Sequence, residues 1–179
     1  YVVFDSSATN LVPNFENSNG GLMDVYVRDM DLGVTTLLSA KFGSTSIGGG
    51  DPDEGSNNPK ISRDGNWIVF ESNAEDLHSG GPSFNDNNTH LFLYQWKEPR
   101  SANTNPIVVD FNQENAVVGN KSSSTPAISS NGRYVVFESH STNLTTDLSM
   151  LTAAHKDIVL WDQDPDEDGI FLEDELINA

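Results

Sequence analysis

The chain has 179 residues, 36 % of them apolar, and no cysteine; that is enough apolar side chain for a packed core, and it excludes disulfide frameworks, thiolate metal sites and cysteine nucleophiles. Nine basic residues against 27 acidic ones leave a formal charge of −18 at pH 7, which excludes nucleic acid as a partner because phosphate backbones demand a basic patch. An acidic surface of this kind suits metal cations, a salty extracellular medium or plain solubility.

No apolar run approaches the ~18 residues of a membrane span. No charged-then-apolar leader precedes Tyr1, and the first residues already read as the middle of a strand, so a mature or excised portion of a longer polypeptide is expected. Residues 1–11 (YVVFDSSATNL) state a pattern that returns at 67–77 (WIVFESNAEDL) and 134–144 (YVVFESHSTNL). Phe4, Phe70 and Phe137 lie 66 and 67 residues apart, and Leu11, Leu77 and Leu144 each follow seven positions later. A fixed period of this length marks one supersecondary unit written three times.

Taken in chain order, the first copy predicts a strand over residues 1–6, an Asn- and Gly-rich loop over 14–24, and strands over 24–29 and 35–38. The loop asparagines are expected to satisfy their own turns. A linker, GGGDPDEG at 48–55, leads to the second copy. There a short strand led by Pro59 covers 59–62, a proline being tolerated at a strand's first residue. An Asp-Gly hairpin at 63–66 follows, expected as type I′, then strands over 67–72, 90–95 and 107–109. The third copy repeats this with Pro126 at the head of 126–129, an Asn-Gly turn at 130–133, and strands over 134–139 and 157–162. In all three copies the third strand begins twenty residues after the phenylalanine. Consecutive apolar residues such as 67–70 fit strands covered on both faces. Four antiparallel strands per repeat is the pattern of a propeller blade.

The phrase P-x-I-S-x-[DN]-G-x-[WY]-[IV]-V-F-[ED]-S-x-x-x-[ND]-L, followed after a variable loop by D-[IV]-[YFV]-[VL], resembles the WD-repeat-like blades of TolB-like β-propellers across nearly the whole chain. The fold expected is therefore all-β, with β-propeller blades of four antiparallel strands and about three blades, an incomplete propeller. The divisions are residues 1–58 (blade one without its first strand, plus linker), 59–125 (blade two) and 126–179 (blade three without its last strand), ten strands in all. Three blades do not close a ring, since propellers use four to eight. Neighbours, either more of a longer chain or copies of this one, are expected to cover the open faces and edges. The resemblance implies a secreted, periplasmic or cell-surface protein engaged in protein interaction.

The most chemical stretch is DPDEDGIFLEDE at 164–175. Asp164, Asp166 and Asp168 at loop positions 1, 3 and 5, Gly169 at 6 and Glu175 at 12 match the calcium pattern D-x-D-x-[DN]-G-x5-E. Ca²⁺ takes six to eight oxygens; the Ile170 carbonyl would supply position 7, Glu175 would close the shell, and Asp162 would add an outer oxygen. The loop resembles both an EF-hand loop and the D-x-D-x-D-G-I loops of thrombospondin type 3-like repeats, the latter better because a strand rather than a helix precedes it. The alternative is a solvated acidic turn. The linker acids Asp51, Asp53 and Glu54 form a weaker candidate without a closing glutamate.

No reaction centre is expected. His78, His90, His140 and His155 are scattered, with no H-E-x-x-H pair and no G-x-S-x-G elbow. His90 stands where the other copies have Asp24 and Asp157, so a structural hydrogen bond is expected of it. Ser6, Ser72 and Ser139, like Asn10, Asp76 and Asn143, recur in every copy, which points to scaffold capping. Sequons at Asn87, Asn120 and Asn143 permit glycosylation in a host that performs it. The expected protein is thus a non-catalytic, calcium-associated structural or adhesive propeller. It works through protein partners or copies of itself, with no nucleic acid and no membrane span, as a homo-oligomer or part of a longer chain. An accessory propeller of a secreted hydrolase and a periplasmic TolB-type partner-binding propeller are the alternatives.

Overall fold

The computed structural model describes residues 1–79, 87–96, 106–112, 117–144, 155–165 and 167. Among them the structure is all-β, with twelve strands and no helix. The strands are β1 (Val2–Ser6), β2 (Asp24–Asp29), β3 (Val34–Leu37), β4 (Ser56–Ile61), β5 (Trp67–Ser72), β6 (His90–Gln95), β7 (Ile107–Val108), β8 (Phe111–Asn112), β9 (Val117–Val118), β10 (Ser123–Ile128), β11 (Tyr134–Ser139) and β12 (Asp157–Asp162). They form antiparallel sheets β1-β2-β3, β4-β5-β6-β7 and β10-β11-β12, with β8-β9 a separate two-stranded ribbon that the sequence did not signal.

The repeat is visible in the register. Phe4 pairs with Tyr26, Phe70 with Phe92 and Phe137 with Val159, the same place in each sheet. Alternation then sends neighbouring residues to opposite faces. From the middle sheet, Ile68, Phe70, Phe92 and Tyr94 pack on Val25 and Val27 of β2. Its other face, Trp67, Val69, Leu91 and Leu93, packs on Val135 and Phe137 of β11. The middle sheet is therefore buried on both sides, which is why residues 67–70 are apolar without a break. Phe70 stacks at 5.9 Å on Phe92 and 6.0 Å on Tyr94. The repeated leucine plugs the end of each layer: Leu77 is fully buried in the first cluster, and Leu144 and Leu11 pack against the other two.

Two local expectations are corrected. Pro59 and Pro126 do not start their strands; β4 and β10 begin three residues earlier, and each proline sits at a bulge where the register shifts. The residue before each proline, Asn58 or Thr125, has φ near +54° or +53°. A proline has no N–H to lose at a broken ladder, so the bulge accommodates it. The hairpins are not type I′ either, because among their central residues only Gly65 and Gly132 have positive φ. Instead Gly65 N–H donates to Ser62 O, and Asp64 Oδ1 accepts from Asn66 N–H. Gly132 with Ser129, and Asn131 with Arg133, repeat the arrangement. A side-chain-capped turn needs the left-handed region at one residue only.

Candidate functional site

The acidic loop leaves β12 beside the Asn-Gly hairpin, and its first carboxylate is held there. Asp164 is 4 % exposed; its N–H donates to Asp162 Oδ1 at 3.1 Å and its carbonyl accepts from Glu167 N–H at 3.2 Å. Arg133 organises the cluster. Its Nε and Nη2 donate to the two Asp162 oxygens at 2.8 and 2.9 Å, its Nη1 lies 3.7 Å from Asp164 Oδ2 and its Nη2 3.4 Å from Glu167 Oε1. The guanidinium also sits 4.8 Å above the Tyr134 ring. This two-toothed pairing is the strong geometry for an arginine. It holds the Asp162 carboxyl below its ordinary range, hydrogen bonds from Arg133 being the main cause, and raises Arg133 above its own.

Of the proposed calcium ligands, Asp164 is thus placed, while Asp166, Asp168, Ile170 and Glu175 lie outside the described residues. Asp162, the expected outer oxygen, is spent on Arg133. Among the described residues no group of three or more His, Asp or Glu side chains converges on a metal position. Chemically, the described part of the loop is an anchor: one cation internal to the chain gathers three acidic side chains and ties the loop's start to the β10–β11 hairpin.

The start of each third strand carries a second polar feature. His90 is buried, with Nδ1 2.9 Å from Asp110 Oδ2, and Leu91 N–H donates to Asp110 Oδ1. The equivalent Asp24 is also buried; it accepts from Ser39 Oγ at 2.9 Å, while Ser39 in turn accepts from Val25 N–H. Its Oδ2 has no hydrogen-bond partner and faces Gly48, where an added Cβ would come within 3.1 Å of it. Burial pushes the Asp24 carboxyl up to about 6 against the weaker pull of Ser39 and Asn19. His78, tilted over Phe92 at 6.4 Å, is lowered by burial.

The recurring serines cap their own chain: Ser6, Ser72 and Ser139 Oγ accept from the N–H two residues on, at 3.1, 3.0 and 3.0 Å. Asp76 and Asn143 accept from the linker N–H groups of Gly50 and Asn120. Asn143 Nδ2 also donates to Val118 O, so glycosylation there would replace a structural bond. In the linker, Glu54 turns back to accept from Asp51 N–H, and in the first loop Asn17 and Asn19 accept from Gly21 N–H.

Reading the sequence for chemistry missed the contacts that join one sheet to the next. Asp5 Oδ2 accepts from Asn58 N–H at 2.9 Å, and Glu71 Oε1 accepts from Thr125 N–H at 2.7 Å. The acids after the first two repeated phenylalanines thus satisfy the N–H exposed by the next sheet's bulge. The signal was present as an invariant acid at positions 5, 71 and 138, but its partner depends on the bulge. Comparison with protein-family models, curated proteins and solved structures gives no match to this chain.

Proposed function

We propose that this chain is a non-catalytic β-propeller-type protein, secreted or displayed at a cell surface or in a periplasm, whose work is structural or adhesive contact with protein partners. Its three repeat sheets act as propeller blades resembling those of TolB-like, WD-repeat-like proteins. Ca²⁺ held by Asp164, Asp166, Asp168, the Ile170 carbonyl and Glu175 orders the acidic loop and neutralises part of the −18 charge.

The observation that carries this reading is the middle sheet, buried on both faces between two sheets of the same repeat. Stacked layers of one unit give a rigid body with extended surfaces for contact. The calcium half of the reading is supported by the carboxylate spacing of the loop and by Asp164 being fixed at its entrance. Titration calorimetry of the full chain with CaCl₂ tests it. Saturable binding is expected, with a rise in melting temperature reversed by EDTA, and Asp168→Asn or Glu175→Gln weakens binding by roughly tenfold or more. No heat and no chelator effect would remove calcium from the proposal.

A further inference from the structure

Among the described residues, the first and the middle repeat sheets each turn one face toward the sheet that follows in the chain, which covers it. Val3, Val25 and Val27 of the first sheet pack against the middle sheet. At the equivalent positions, Trp67, Val69, Leu91 and Leu93 of the middle sheet are 3 % exposed or less and pack against the third. Sixty-seven residues on stand Tyr134, Val136, Ile158 and Leu160. They form one face of β11 and β12, where Val136 pairs with Leu160, and Ile158 and Leu160 are 70 % and 64 % exposed.

The polar and aromatic contacts of the stacked interfaces end at the same place. Asp5 and Glu71 each hold the bulge N–H of the following sheet; the third acid, Glu138, is engaged by Lys156 at 2.7 Å instead. Tyr1 lies against the hairpin glycine Gly65 and Trp67 against Gly132, so closely that a Cβ on Gly132 would clash with the indole. Tyr134, the third aromatic of this set, instead lies under Arg133.

We infer that the face made by Tyr134, Val136, Ile158 and Leu160, with Glu138 at its end, is a docking face for a further sheet of this same repeat. Its occupant carries a bulged first strand with a left-handed residue, to donate an N–H to Glu138, and a hairpin glycine, to receive Tyr134. The interface is the third instance of one seen twice within the molecule. A second copy offering its β1-β2-β3 sheet does not fit. That sheet contains no counterpart of β4 or β10, and Leu11, Val12 and Phe15 pack over Phe4 and Tyr26 on its other face.

This inference rests on the stacked-repeat reading, and one experiment separates the two. The full chain is compared with the same chain extended by a repeat of its residues 113–179, and Leu160→Lys and Val69→Lys are made in each. Val69→Lys, in the interface already formed, should lower the melting temperature of both chains; if it is neutral, the stacked-repeat reading itself fails. Leu160→Lys should leave the parent chain within about 1 °C and lower the extended chain by roughly 5 °C or more. A neutral Leu160→Lys in both chains overturns the docking face alone. So does an equal loss in both, which would mean that the chain's own residues cover the face. Sedimentation showing that the parent chain dimerises through Leu160 would assign the face to a second copy and overturn the inference as well.

Discussion

At the level of single side chains, Asp24 and Gly132 are both tightly constrained. Asp24 is buried with one oxygen unbonded and its pKa is raised from 3.8 to about 6. A carboxyl with a higher pKa folded than unfolded contributes its stability below the unfolded value, and that contribution is lost as pH rises toward the folded one. As pH rises from about 4 to 6 this group therefore comes to cost stability, and above about pH 6 the cost stays at up to about 3 kcal/mol. Asp24→Asn keeps an acceptor for Ser39 and removes the charge. Urea unfolding across pH 4–8 should show the variant gaining on the native chain as pH rises, the two curves separating through pH 4–6. Gly132 has φ +83° and the Trp67 ring against its missing side chain. Gly132→Ala combines backbone strain with a clash and should cost about 2–4 kcal/mol in the same assay.

At the level of strands, the recurring polar residues explain why the repeat tolerates its bulges. A bulge breaks the ladder and leaves an N–H without its strand partner; Asp5 and Glu71 take up that donor across the gap between sheets. Glu71 also accepts from Asn58 Nδ2, so one carboxylate links two sheets. Glu71→Ala should lower stability by about 1–2 kcal/mol, with Glu71→Gln retaining part of it, measured by denaturant midpoint. Here the strands themselves were legible: the β-branched and aromatic runs at 24–29, 67–72, 90–95, 134–139 and 157–162 match observed strands end to end. The prolines misled, because a proline at the head of a strand and one inside a bulge look alike until the partner strand is seen. The Asp-Gly and Asn-Gly turns misled for a related reason, since Asp64 and Asn131 act through their side chains as caps rather than through positive φ.

At the level of the whole molecule, stability is layered. The middle sheet shares a core with each neighbour, whereas the last sheet has one covered face and one open one. Stacked repeats behave approximately as nearest-neighbour arrays, so opening should be hardest at the centre. Hydrogen exchange of the full chain should show β5 and β6 most protected and β12 exchanging faster, consistent with local opening from the end layer. Equal protection in β6 and β12 would mean that the outer face is not exposed in solution.

Strand patterning alone was sufficient to determine the all-β character, because alternating and β-branched runs are local properties of the chain. The same holds for the capping role of Ser6, Ser72 and Ser139. Three things needed the folded chain. The bulge that gives Asp5 and Glu71 their partners, the Arg133 clasp on Asp162, Asp164 and Glu167, and the identity of the covered and open faces all join residues far apart in sequence. Alternation says that a strand has two faces; only the order in which sheets stack says which of them meets water.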